Sequence, residues 1–155
     1  MLQMPKKFFV ASGKAASRVS DLNAFDEALL NAGIGEQNLV YVSSILPVGI
    51  KQTRKANLPM GMITHCVLAQ QRGGEGEMIS AGIAFGFRDD GLGGYVAEGH
   101  MHGNGKALRE VLEWKMAEMA KLRGIKFKSL DYKIEDLSIP MDHYGACLAA
   151  LVFLF

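Results

Sequence analysis

Excess charge of either sign is nearly absent from this chain: 17 lysines and arginines stand against 16 aspartates and glutamates, a formal net charge of +1. So even a balance gives no reason to expect a nucleic-acid or membrane partner. Cysteine is as scarce. Cys66 and Cys147 are the only two, far apart and each within an apolar run. They read as buried free thiols in a reducing compartment rather than as a disulfide or a metal site. Long apolar runs are lacking too. The longest, Ala146 to Phe155, reaches about half of the ~20 residues that cross a bilayer. Lys6-Lys7 before Phe8-Phe9-Val10-Ala11 has the outline of a secretory signal, but its apolar part is too short. The chain is therefore read as cytoplasmic. It carries no internal repeat and no low-complexity segment.

What is present suits one folded domain over residues 1–155. The chain is long enough for a single core, and its 49% apolar content excludes disorder. Phe8-Phe9-Val10-Ala11 is a short strand. Ser20 or Asp21 caps a helix whose apolar positions Leu22, Phe25, Leu29 and Ala32 follow the helical period, and Gly33 and Gly35 stop it. Residues 49–58, with Lys51, Arg54 and Lys55, read as an exposed loop. Met62 to Ala69 and Met78 to Phe87 are strands separated by a turn over 70–76, and Tyr95 to Glu98 is a further short strand. Asn104 caps a helix to about Arg123, with Leu108, Leu112, Met116, Met119 and Leu122 on one face and Gly124 at its end. Phe127 to Ile139 and Cys147 to Phe155 complete the strands. Two helices and about seven strands predict an α+β domain, with helices covering mainly antiparallel sheet and apolar sheet faces stacked on each other.

The chemistry concentrates in Asn38-Leu39-Val40-Tyr41-Val42-Ser43-Ser44-Ile45-Leu46-Pro47. An apolar strand runs into two adjacent hydroxyls, and Pro47 prevents it from continuing as a central strand. A strand end with a serine turn is the ordinary reading. A serine pair held in a constrained turn also permits one unusual reaction. The Ser44 hydroxyl attacks the Ser43 carbonyl, the amide becomes an ester, and β-elimination cuts the chain. Residue 44 is left as a pyruvoyl group, an electron sink made from the protein itself.

Five ordered motifs carry a resemblance: Leu22-Asn23-Ala24-Phe25-Asp26, Leu29-Leu30-Asn31-Ala32-Gly33-Ile34-Gly35, Asn38-Leu39, Ser43-Ser44-Ile45-Leu46-Pro47 and Leu58-Pro59-Met60-Gly61. In this order and spacing they resemble the pyruvoyl-dependent arginine decarboxylase family. The likeness runs from about Phe8 nearly to the C-terminus and is densest between Leu22 and Gly61. It implies a four-layer αββα sandwich assembled as trimers, or dimers of trimers, with active sites between subunits. It also implies self-cleavage between Ser43 and Ser44 into fragments 1–43 and 44–155, with a covalent pyruvoyl group derived from Ser44. The reaction implied is decarboxylation of L-arginine to agmatine and CO2 through a Schiff base on that group.

The resemblance further implies roles for single residues. Glu98 is the expected proton donor to the carbon that loses CO2, in a partly desolvated strand position after Tyr95-Val96-Ala97. Asp26 pairs with the substrate guanidinium, whose planar fork a carboxylate accepts through two parallel hydrogen bonds. Asn38 orients the cleaved carbonyl and later the substrate, and Ser43 keeps its new carboxylate beside the site. The ordinary readings are a solvated strand-end acid, a solvated helix acid and a turn residue.

Two rival classes remain at this stage. Glu98, His100 and His102 alternate, and on a strand all three would share one face, as the ligands of a catalytic metal do. The flanking Gly99 and Gly103 argue for a turn there instead. A trimeric binding protein that keeps the fold without the cleavage is the other class. Gly103-Asn104-Gly105-Lys106-Ala107 fails as a phosphate loop, since His100 stands where a glycine belongs and Ala107 where a hydroxyl should bind Mg²⁺.

Overall fold

The computed structural model describes residues 2–155 and arranges them in two helices and nine strands. The strands are β1 (Lys7–Ser17), β2 (Asn38–Tyr41), β3 (Ile45–Leu46), β4 (Lys51–Gln52), β5 (Ile63–Gly73), β6 (Met78–Phe87), β7 (Gly94–Met101), β8 (Asp131–Ser138) and β9 (Tyr144–Leu154). The helices are α1 (Asp21–Ala32) and α2 (Gly105–Arg123). One sheet has the order β2-β5-β9-β1-β4 and the other β3-β7-β6-β8. All pairings are antiparallel except β1 with β4 and β2 with β5.

Alternation of side chains explains how the sheets stack. Phe8 and Phe9 are both buried, yet they belong to different layers of core. Phe8 joins Val67, Ile83, Phe85 and Leu151 between the two sheets, its ring edge-on to Phe85 at 5.7 Å. Phe9 joins Leu148, Ala150 and Val152 beneath Ala24, Phe25, Ala28 and Ala32 of α1. Leu108, Leu112 and Met116 of α2 cover Ala84 and Ala97 on the opposite outer face. The result is the expected α+β sandwich of four layers, helix, sheet, sheet, helix.

The helix ends follow their local chemistry. Ser20 caps α1, its hydroxyl oxygen accepting from the Asn23 amide at 3.0 Å. Gly33 ends α1 in the left-handed conformation at φ 81°, where a side chain is disfavoured. Asn104 caps α2 by accepting from the Ala107 amide at 2.8 Å. Helix α1 lies very close to β1: a Cβ on Gly13 would stand 2.1 Å from the Ala28 carbonyl oxygen.

Several expectations need correction. Residues 49–58 are not simply an exposed loop. Ile50 is buried, Lys51 and Gln52 form β4 against Lys7 and Phe8, and Ala56 and Leu58 pack on the α1 layer. The charges of Lys51, Arg54 and Lys55 concealed those apolar anchors. The strand at Tyr95 continues through Gly99 to Met101 rather than turning. Gly99 pairs with Gly82, and its missing side chain admits Leu108 and Leu112 of α2, which a Cβ would meet at 3.1 and 3.2 Å. Here glycine marks close helix–strand contact, not a turn. Strand β5 runs on to Gly73, into the segment read as a turn. Strand β1 is 11 residues long, not four, and β8 begins only at Asp131, Phe127 making an isolated bridge to Arg88.

Candidate active site

Strands β2 and β3 are consecutive in the chain but sit at the edges of different sheets. The two serines are the passage between them. On one side the Val42 amide donates to the Cys66 carbonyl at 3.0 Å, extending the β2–β5 pairing. On the other the Val96 amide donates to the Ser44 carbonyl at 2.9 Å, extending the β3–β7 pairing. The peptide joining Ser43 to Ser44 is thus strung between two anchored ladders. Ser43 is exposed and Ser44 half-buried. The sequence placed the pair at a strand end before a turn, whereas the structure makes it a link between sheets.

An open cavity of about 490 Å³ lies at this edge, lined in part by Ser43, Ser44, Val96, Glu98, Lys115 and Met119. Val96 belongs to the core between the sheets and Ala97 to the layer under α2. By alternation Glu98 projects on the same side as Val96, at the open edge of the sandwich. Its backbone carbonyl accepts a 2.8 Å hydrogen bond from Lys115 Nζ of α2. The Cys66 thiol is pushed up to about 12, first by burial and then by the Glu98 carboxylate. The cavity lining gathers an acid, two serines and a lysine around one space.

The other residues singled out in the sequence lie elsewhere in the single chain. Asp26 is exposed on α1 and does not line this cavity. Asn38 opens β2, and its side-chain amide donates to the Gly61 carbonyl at 2.9 Å. Two of the quoted motifs, Asn38-Leu39 and Leu58-Pro59-Met60-Gly61, therefore meet in space. At ~3.3 Å per extended residue, Asn38 stands roughly 15 Å along the strand from its own Ser43. The site as assembled by one chain holds Ser43, Ser44 and Glu98, without Asp26 or Asn38.

Gln71 stands between His100 and His102, its Nε2 3.3 Å from His102 Nε2. His100 Nδ1 is 2.8 Å from Gln71 Oε1, and His102 Nδ1 is 2.8 Å from Glu77 Oε2. Among the described residues, no three or more His, Cys, Asp or Glu side chains are grouped so as to hold a metal ion. The strand face shared by Glu98 and His100 is real, but the ligand set proposed for it does not form.

Helix α2 supplies what the sequence reading missed. Lys115, Glu118, Met119 and Leu122 wall the cavity opposite the serines. Their spacing of three, four and seven residues marks one helical stripe. It lies beside the buried stripe Leu108, Leu112 and Met116; Met119 packs on that layer as well as lining the cavity, and Leu122 is exposed at the cavity wall.

The residues present suit a prosthetic group made in place. Residue 44 faces an open cavity large enough for an amino acid, its peptide bond lies outside both ladders, and an acid stands across the space. Residues 7–155 match the family model described as pyruvoyl-dependent arginine decarboxylase. Relatives bearing the name pyruvoyl-dependent arginine decarboxylase are similar over nearly their full length. That of Methanothermobacter thermautotrophicus is 34% identical over 149 residues, covering 96% of each chain. That of Methanopyrus kandleri is 34% identical over 150 residues, covering 97% of each, and that of Pyrococcus abyssi 33% over 151 residues, covering 96% of this chain and 94% of its own.

Proposed function

This chain belongs to the pyruvoyl-dependent arginine decarboxylase family, and we propose that it cuts itself between Ser43 and Ser44 and then decarboxylates L-arginine to agmatine and CO2. The observation that carries this reading is the Ser43–Ser44 peptide, slung between two sheets at the lip of the cavity that also holds Glu98.

Processing uses only this chain and water. Ser44 Oγ attacks the Ser43 carbonyl carbon, the C–N bond breaks, and the hydroxyl proton ends on the Ser44 nitrogen. Loss of the residue 44 Cα proton then breaks the Cβ–O bond, freeing Ser43 as a carboxylate and leaving dehydroalanine. Tautomerisation, uptake of water and loss of ammonia leave a pyruvoyl group at position 44. The anchored ladders hold the serine hydroxyl and its target together, which replaces a chance encounter by a fixed one.

That group supplies a ketone for the substrate amine and a conjugated carbonyl that accepts the electrons released with CO2. The chain's own side chains do the rest. Glu98, in the cavity lining, delivers the proton to the substrate carbon. Val96 and Met119 provide apolar walls that limit water. Asp26 accepts the guanidinium in a bidentate pair, and Asn38 orients the reacting carbonyl.

Because Asp26 and Asn38 lie away from their own serines, a neighbouring copy supplies them, in trimers whose sites fall between subunits. The edge strand β2 supports this arrangement. Val40, Tyr41 and Val42, with Ile45 and Ile63 beside them, are exposed along an unpaired sheet edge, which a second copy would cover.

The experiment is intact mass of the purified protein beside agmatine and CO2 release from arginine. Fragments of residues 1–43 and 44–155, with residue 44 carrying a ketone in place of its amine and hydroxyl, are expected. A folded chain that stays whole and releases no CO2 would overturn the reading.

A further inference from the structure

We infer that Lys115 is the cationic partner of the carboxylate that cleavage creates on Ser43, stabilising it as it leaves residue 44 and holding it afterwards. This role rests on the self-cleavage reading above and deepens it.

Among the described residues lining the cavity, the charged ones are Glu98, Glu118 and Lys115. Before cleavage the space therefore holds two acidic side chains and one lysine. Breaking the Cβ–O bond adds a carboxylate, on Ser43, as the electron pair of that bond passes to the leaving oxygen and the Cα proton passes to solvent. A new negative charge beside two acidic side chains is stabilised by a cation standing next to it.

Geometry puts Lys115 in reach. Strand β3 pairs with β7 as Ile45 with Tyr95 and Leu46 with Gly94, and the Ser44 carbonyl accepts from Val96. Ser43 lines the same cavity as Val96 and Ala97 of β7. Lys115 Nζ is fixed at the next residue of β7, on the Glu98 carbonyl at 2.8 Å. An ammonium has three N–H donors, and this bond uses one. The other two are available to an anion at Ser43. The hydrogen bond also holds the long lysine chain in place from α2, so little side-chain freedom remains to be lost when the anion forms.

Zero-length coupling tests the pairing without relying on turnover. A carbodiimide joins an amine directly to an adjacent carboxylate with no spacer. In cut wild-type protein, digestion after coupling should yield a branched peptide in which the Ser43 carboxyl is amide-bonded to Lys115 Nζ. Ser44→Ala, which forms no new terminus, should give none. Lys115→Met should be cut about ten-fold more slowly, as intact mass over time reports, and Lys115→Arg, which keeps the charge but cannot couple, should be cut at close to the wild-type rate. A cut wild-type chain whose Ser43 carboxyl does not couple to Lys115 overturns the role while leaving cleavage intact. So does Lys115→Met protein cut at the wild-type rate. A wild-type chain that is never cut overturns both.

Discussion

The carbonyl of Ser44 accepts the amide of Val96 at 2.9 Å, while two residues earlier Val42 is bound to Cys66 of the other sheet. The segment between these bonds is tethered at both ends. Cutting it removes one of the chain's covalent crossings between the sheets but none of the ladder bonds. Wild-type protein should therefore migrate as two fragments under denaturing conditions and as one particle under native conditions. Ser44→Ala has no hydroxyl to attack with and should remain one chain with no decarboxylation. Detectable agmatine from that variant would mean that residue 44 is not the source of the electrophile.

The two thiols carry a pH dependence whose sign is fixed. Burial, reinforced by Glu98, pushes Cys66 up to about 12 from 9.0, and burial with Glu135 and Asp136 does the same to Cys147. Between those values an unfolded chain ionises its thiols and the folded chain does not. Stability from these groups is thus complete below about pH 9 and lost as pH rises toward 12, at roughly 1 kcal/mol per pH unit for each thiol. Denaturant titrations at pH 8.5 and 10.5 should show a smaller loss in the Cys66→Ala, Cys147→Ala double variant than in wild type. Equal losses would contradict the assignment. In folded protein at pH 8 neither thiol should react with an aromatic disulfide reagent.

Much of this architecture was readable because local chemistry and tertiary packing agree. Ser20, Gly33, Asn104 and Gly124 mark the helix ends that the structure shows. Stacked apolar sheet faces were expected, and Phe8 and Phe9 fill the two layers of core on either side of β1. What escaped was decided by contacts between distant segments. Gly99 reads as a turn residue until Leu108 and Leu112 are seen to need its vacant side. Ile50, Ala56 and Leu58 were hidden among lysines because only the fold reveals which apolar side chains find a partner. At the site, Ser43 and Ser44 could be singled out by residue type and order, and Glu98 by the family resemblance. Lys115 could not, because nothing in a helical lysine announces the carbonyl it will reach.

Helix α1 depends on one close approach. A methyl group on Gly13 would meet the Ala28 carbonyl at 2.1 Å and the Ala32 amide at 2.9 Å, both backbone atoms that cannot swing aside. Gly13→Ala should push the helix off β1 and lower stability by about 1–3 kcal/mol, seen as a reduced thermal midpoint. An unchanged midpoint would show that the helix is not seated as described.

Asp26 provides the sharpest separation between making the site and using it. It stands on the exposed face of α1, away from the Ser43–Ser44 link of its own chain, so its loss should leave cutting untouched. Its carboxylate matters only once a guanidinium arrives, and a desolvated charge pair that loses one partner weakens by about 2–5 kcal/mol. Asp26→Ala should thus be fully cleaved by mass yet require at least about thirty-fold more arginine for half-maximal rate. Asp26→Glu, which keeps the charge but displaces the fork, should fall between the two. If copies of the chain share the site, mixing Asp26→Ala subunits with Ser44→Ala subunits should restore part of the activity, since some sites would then hold an intact Ser44 from one copy and Asp26 from the other. Arginine affinity unchanged in Asp26→Ala would place the guanidinium partner on another residue.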